Sequence, residues 1–484
     1  MGFLGIALAL GLLIGFAYRG WSVLLLCPLV ALVAALFSGE PLLASWTQTF
    51  MPAAAGFLAQ FFPLFLLGAL FGKLMDDSGS VQAIADAMSA RLGAQRAMLA
   101  VVLAGAVITY GGVSLFVAFF VLVPMAQRLF RQADIPRRLM PAAIALGTST
   151  FTMTALPGTP AIQNAIPMPY FGTTMFAAPG LGLIASAITL AFGLWWLGRA
   201  QRQALRLGQG YADAELPGAE AIADDGLLRE RASTAREFDP AELAHGRRSA
   251  ALPPAWLAAL PLAVVIVVNL VMSLLVLPRM DASFLEHVRW GQASLQDVGG
   301  VWSVIVALVA GICALLALQW RRLGALRDSV DAGVNASALP ILSVSSLVGF
   351  GAVVAALPAF EVISERVLSV GGGPLVSLAI ATNVLAALTG SASGGLTIAL
   401  DALAETYLAT AYAYGIDPAL MHRVAVIGAG TLDMLPHNGA VVSLLAICGT
   451  THKESYFDIV MVAVVSAMLA LFAVIVLGTM FGSF

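Results

Sequence analysis

Two stretches of this chain carry polar chemistry inside long apolar runs. The first to stand out is Gly430–Val442, reading Gly-Thr-Leu-Asp-Met-Leu-Pro-His-Asn-Gly-Ala-Val-Val. It places an acid, a helix-breaking proline, a histidine and an amide where hydrocarbon would tolerate none of them unless they faced protein or water. Thr150–Asn164 has the same shape, and aligning the Leu-Pro pairs puts Leu156-Pro157-Gly158-Thr159 over Leu435-Pro436-His437-Asn438 and Thr154 over Asp433. Prolines free carbonyls in the turn before them and leave the amides of the next half-helix without partners. Such amides, helped by the helix dipole, favour an anion.

Two glycine-rich turns complete the set. Gly111-Gly112 and Gly394-Gly395 would let backbone approach a ligand closely. Ser114, Thr159, Ser391, Ser393, Thr397 and Asn438 add neutral hydrogen-bonding groups suited to hydroxyls or a carboxylate. Taken singly, a serine or threonine in a helix more often bonds back to its own backbone. Clustering at four breaks favours a site, which we expect to include Gly158 and His437 as well. Asp433 is a candidate proton carrier, because hydrocarbon penalises its charged form, or else a structural carboxylate bonded to hydroxyls of the opposite hairpin. His437 could titrate, donate to substrate or cap the break. Asp401 and Glu405, four apart on one helical face, could line an aqueous path or lie near the outer surface.

No lysine or arginine falls in the four motifs, and Arg423 reads as a helix-end residue. A bound carboxylate would then rest on amides, hydroxyls and His437, which suits a small hydrophilic monoanion better than a nucleotide. No Walker loop or nucleic-acid stripe is present, so ATP-driven pumping and nucleic-acid binding are not expected. The five histidines, at 245, 287, 422, 437 and 452, form no metal-ligand spacing, and no nucleophile–base pair points to an enzyme. No cofactor is implied. Paired hairpins and breaks suit an occluded carrier site more than a continuous channel pore.

The elements that position these residues follow from composition. The 484 residues are 60% hydrophobic and 11% charged, with a mean hydropathy of +0.93. Soluble chains are typically about 25% charged. An all-α polytopic membrane protein is the expectation, with the lipid bilayer as its surroundings. Cys27, Cys313 and Cys448 have no close spacing and read as small core residues. The N-terminal apolar run lacks a basic leader and reads as a retained first span.

Apolar runs long enough to cross fall near 2–18, 21–38, 54–72, 139–168, 177–198, 255–277, 300–320, 338–358, 421–448 and 458–480. That gives about ten full spans, of which 139–168 and 421–448 are broken helices. Residues 97–127 are uncharged and turn at Thr109–Ser114. Limbs of about 13 residues rise only about 20 Å against roughly 30 Å of hydrocarbon, so a re-entrant hairpin is expected. Residues 372–410, turning at Thr389–Thr397, could make two short full spans and are read as a second hairpin by analogy with the first.

Following the spans puts twenty basic residues on one side and leaves Arg279, Arg289, Arg366 and Arg423 on the other. The rich side is cytoplasmic by the positive-inside rule, and both termini face outward. Residues 1–198 and 251–484 then repeat one order of elements in opposite orientation. Gly111 and Pro157 are 46 residues apart, Gly394 and Pro436 42. Inverted repeats with broken helices mark secondary transporters. Residues 199–250 between them mix basic and acidic residues and read as a solvated cytoplasmic linker.

The runs Thr109-Tyr110-Gly111-Gly112-Val113-Ser114-Leu115-Phe116-Val117, Ala155-Leu156-Pro157-Gly158-Thr159-Pro160, Leu435-Pro436-His437-Asn438-Gly439 and Thr451-His452-Lys453-Glu454-Ser455 resemble the gluconate permease family of secondary transporters. The resemblance implies uptake of gluconate or a related organic acid across the inner (plasma) membrane, usually with protons. Wider kinship with the ion-transporter superfamily implies a homodimer with a scaffold and a moving domain that holds both hairpins. Members differ in substrate, including sugar acids, hydroxy acids and D-serine. Proton symport of a small hydroxylated acid is the expectation, with a sodium-coupled or exchange carrier as the alternative.

Overall fold

The computed structural model describes residues 2–18, 21–113, 115–211, 249, 251–360, 362, 372–436 and 438–484. Ser114, His437 and most of the linker (212–248 and 250) therefore lie outside the described residues. Every regular element among those described is helical.

The chain opens with α1 (Gly2–Tyr18) and α2 (Val23–Ser38). Gly39, in the left-handed region, stops α2 and returns its N–H to the carbonyls of Ala35 and Leu36. Next come the long α3 (Leu42–Asp77) and the short α4 (Ser80–Leu92). The first hairpin is α5 (Ala97–Tyr110) and α6 (Leu115–Gln132), and α7 (Met140–Thr148) leads into the first break. The half closes with α8 (Pro179–Arg206).

The second half runs α9 (Ala255–Val271), α10 (Leu295–Gln319) and α11 (Leu326–Ala355). The second hairpin is α12 (Pro374–Thr389) with α13 (Ala392–Tyr414); α14 (Pro418–Thr431) and α15 (Gly439–Cys448) flank the second break, and α16 (His452–Phe481) ends the chain. The order of long helices, hairpin, break and closing helix thus recurs. Two of the helix starts carry a capping box. Ser294 and Asp297 make a reciprocal box at α10, and Thr451 and Glu454 do so at α16, which explains the Thr-His-Lys-Glu-Ser run in local terms.

Among the described residues, six helical segments are long and apolar enough to cross a membrane: α3, α8, Ala255–Arg279, Leu295–Arg322, α11 and α16. The ten expected spans add to these only α1, α2 and the two broken helices, which length alone does not qualify. Large apolar side chains such as Leu43, Leu183, Trp256 and Phe472 point outward along these helices, as a lipid-facing surface requires. The chain is an all-helical polytopic membrane protein.

Two features depart from the sequence reading. The amphipathic α4 meets the Ala94–Tyr110 helix at a bend of 102°, so the first hairpin hangs from a corner rather than from a loop. Its second limb, α6, has 18 residues rather than about 13. Cys27 and Cys448 are buried as expected, but Cys313 is exposed on α10. A cysteine in an apolar run can face lipid as readily as core, and spacing does not say which.

At the centre, α3 and α11 lie side by side. Gly333 makes this possible, since a Cβ there would meet the Cα of Leu70 at 2.9 Å. Both hairpins and the first break converge on this pair.

Candidate functional site

A cavity of about 180 Å³ opens between α3, α11, the two hairpins and the first break. Gly112 brings the first hairpin tip to it, Ser393 the second hairpin, and Pro160 to Gln163 the break. Thr109, Ser337 and Gln163 supply further polar groups; the remaining wall is apolar, and none of the lining side chains is charged. Gly112 has φ +93°, and a Cβ on it would meet Pro160 Cγ at 3.0 Å. Glycine is thus required twice over, by backbone conformation and by the proximity of the break.

The first break spans the residues between α7 and α8. Its threonine hydroxyls turn back on their own helix: Thr150 to Leu146 O, Thr152 to Gly147 O, Thr154 to Thr150 O. The carbonyls freed by Pro157 and Pro160 find partners elsewhere. Tyr110 donates to Pro157 O at 2.8 Å, Asn269 approaches Gly158 O at 3.4 Å, and Asn164 donates to Thr159 O at 3.1 Å and to Met175 O at 3.0 Å.

Those two carbonyls fix the orientation of the Asn164 amide, so its Oδ1 faces α14. There it accepts from Arg423 at 3.3 Å and from His422 Nε2 at 3.1 Å. Nδ1 lies 2.6 Å from the Thr173 hydroxyl, so both ring nitrogens are hydrogen-bonded. Arg423, 0 % exposed, also donates to Thr154 O at 3.2 Å and twice to Ala177 O, at 3.1 and 2.7 Å. The arginine read from sequence as a helix-end residue is therefore a buried clasp. It ties the second half of the chain to both sides of the first break.

The second break is held differently. Asn438 caps α15, its Oδ1 accepting from the amide of Ala440 at 2.6 Å. Its Nδ2 donates to Gly390 O in the second hairpin turn at 3.0 Å and to Asp433 Oδ1 at 2.8 Å. The loosened carbonyls of Met434 and Pro436 are met by Tyr456 and His452 of α16. Asp433 lies in the turn after α14 and is half-buried.

Of the expected site residues, Gly112 and Ser393 line the cavity, joined by Pro160 and Gln163. Thr159 is buried beside it, its hydroxyl accepting from the amide of Ala161 at 3.4 Å. Gly158, with φ +80°, packs on Phe176, where a Cβ would come within 2.5 Å. Ser391 caps α13 by accepting from Gly394 N, and Thr397 bonds back to Ser393 O. Gly111, Gly394 and Gly395 are closely packed on neighbouring elements and are not among the cavity-lining residues. Gly111 accommodates Leu262, Gly394 accommodates Leu347, and Gly395 lets α13 lie against the backbone of α12 at Ala386. Asp433 and Asn438 are not among the cavity-lining residues; Asn438 joins them to it only through the second hairpin turn.

Arg423, His422, Asn164 and Tyr110 were absent from the expected set, as were the lining groups of α3 and α11. The one signal available was an Arg-His pair inside an otherwise apolar run, since intramembrane ionisable residues are by default functional candidates.

Residues 21–319 match the citrate transporter family, CitMHS. The chain is 41% identical to the uncharacterized transporter YxjC of Bacillus subtilis, over 99% of this chain and 98% of that one. It is 32% identical to a high-affinity gluconate transporter of Escherichia coli over 33% of this chain and 35% of that protein. An Escherichia coli L-idonate transporter is 30% identical over a similar third. In fold, the chain resembles the YdaH transporter of Alcanivorax borkumensis, with a TM-score of 0.53, 18% identity and coverage of 89% and 88%. MtrF of Neisseria gonorrhoeae gives a TM-score of 0.53 at 14% identity, covering 89% and 83%. All these relatives are transporters or efflux pumps rather than enzymes. The chain belongs to the citrate transporter family and is kin to the gluconate permeases.

Proposed function

We propose that this chain takes up a small hydroxylated organic acid, gluconate or a related sugar or hydroxy acid, by proton symport. The observation that carries the reading is the cavity where Gly112, Pro160 and Ser393 meet. At about 180 Å³ it is smaller than the roughly 300–1,000 Å³ of pockets for drug-sized ligands. Its polar lining is neutral and hydrogen-bonding, which suits hydroxyls, while Arg423 stands behind the break with the charge an anion seeks. Partial identity to gluconate and L-idonate transporters supports the same class.

Asp433 would carry the proton. Asn438 donates to the charged carboxylate in a bond stronger than one to a neutral acid. Protonation would weaken that hold on the residue that also grips Gly390, and so release the second hairpin. In this reading residues 1–198 and 251–484 are inverted halves in the inner (plasma) membrane, both termini lie outside, and residues 199–250 are a cytoplasmic linker. The carrier works as a homodimer whose hairpins move against α3 and α11.

Uptake of labelled gluconate into proteoliposomes tests the coupling. An inward proton gradient without sodium should drive accumulation. Accumulation that needs sodium and ignores the proton gradient would replace this mechanism with the sodium-coupled one. A panel of gluconate, glycerate, 3-hydroxybutyrate, lactate and D-serine in counter-transport should identify the substrate.

A further inference from the structure

Among the described residues the charge of Arg423 has no counterion. All of its hydrogen bonds go to neutral oxygens: Thr154 O, Ala177 O and Asn164 Oδ1. None of the ion pairs formed among the described residues includes it. Its neighbour His422 hydrogen-bonds through both ring nitrogens to neutral groups, Thr173 and Asn164. An arginine side chain keeps its proton in proteins, so a full positive charge sits enclosed at this point. Burying such a charge is expensive, and bonds to carbonyls offset only part of that expense. A purely mechanical tie between α14 and the break could be built from neutral donors.

Position gives the charge a use. The groups that Arg423 holds, Thr154 O and Asn164 Oδ1, belong to the immediate chain neighbours of Met153 and Gln163, which line the cavity. Two of its acceptors are thus one position along the chain from the cavity wall, and the guanidinium itself is fully buried. Screening by salt is weak in such surroundings. We infer that Arg423 is a positioning residue that selects charge, biasing the cavity toward a carboxylate and against a neutral analogue of the same size. This rests on the reading of the cavity as an organic-acid site. For a separation on the order of 10 Å and an effective dielectric near 20, Coulomb's law gives a change in anion affinity of about tenfold.

The test compares gluconate, a carboxylate, with gluconamide, its neutral amide. Both are titrated against the purified full-length protein in detergent at pH 6, with size-exclusion profile and thermal unfolding as checks on folding. Wild type should prefer gluconate by about tenfold or more. Arg423→Gln should cut that ratio about tenfold by weakening gluconate while leaving gluconamide unchanged. Arg423→Lys keeps the charge but not the planar fork, and should keep the ratio to within about threefold. A folded Gln variant that retains the preference overturns the inference alone, as does a folded Lys variant that loses it. The Lys variant decides the matter if the Gln variant does not fold. A wild type without the preference overturns the organic-acid reading and the inference together.

Discussion

The two breaks share a Leu-Pro core and differ in how their loose backbone is held. The first is held from a distance. Tyr110 on α5, Asn269 on α9 and Arg423 on α14 reach its carbonyls, and the clasp joins the two halves of the chain. The second is held locally, by Asn438 within the break and by Tyr456 and His452 one helix later. One break carries a buried cation beside it; the other carries the half-buried acid Asp433. A pseudo-symmetric frame has thus been given opposite charges and opposite degrees of tethering. In the proposed mechanism the first break selects shape and charge and the second responds to a proton.

The strongest way to break this comparison is to remove the clasp. Arg423→Ala leaves two buried carbonyls, Thr154 O and Ala177 O, short of a donor, at about 1–3 kcal/mol each, while Asn164 Oδ1 keeps His422. We expect a loss of about 3 kcal/mol or more, visible as a steep fall in thermal unfolding temperature and in yield of folded protein. A variant as stable as wild type would show that the first break does not depend on it. Asn438→Ala is the matching cut at the second break. It removes an N-cap and the tie to Gly390, and should cost about 1–2 kcal/mol in the same assay. A loss equal to that of Arg423→Ala would erase the distinction between distant and local tethering.

Two glycines in the left-handed region sharpen the picture. Gly112 and Gly373 have φ +93° and +85°, so Ala at either strains the backbone by about 1–2 kcal/mol. A Cβ at Gly112 would also press on Pro160, whereas at Gly373 it would meet open space. Gly112→Ala should lower initial uptake rates about tenfold or more, and Gly373→Ala should leave them near wild type. Equal effects would detach the hairpin tip from the transport site. Asp433→Asn should change stability least, by less than about 0.5 kcal/mol, because the amide oxygen can still accept from Asn438. It should nonetheless bind gluconate and fail to accumulate it against a gradient. Undiminished uphill uptake in that variant would remove Asp433 from the proton route.

The sequence made the breaks and turns legible because proline and paired glycine act locally and need no partner to do so. Leu156-Pro157 and Leu435-Pro436 interrupt helices where expected, and Gly111-Gly112 turns the first hairpin. The role of each glycine was not legible. Gly395 and Gly112 look alike in sequence, yet one faces the backbone of a neighbouring limb and the other an open cavity. Arg423 was hidden for the same reason. It lies five residues after Pro418 opens its helix, which reads as a membrane edge, and its burial is decided by residues some 250 positions earlier. The cavity walls on α3 and α11 are ordinary apolar helix to any local reading.

That clasp bears on how the protein is made. Every acceptor of Arg423 belongs to residues 154–177, which leave the ribosome long before α14 does. An arginine at the middle of a lone inserting helix carries a penalty of about 3 kcal/mol. Here its partners are already waiting in the bilayer. The first half can therefore serve as a template on which the second is seated, and the order of synthesis itself helps to place the last three helices.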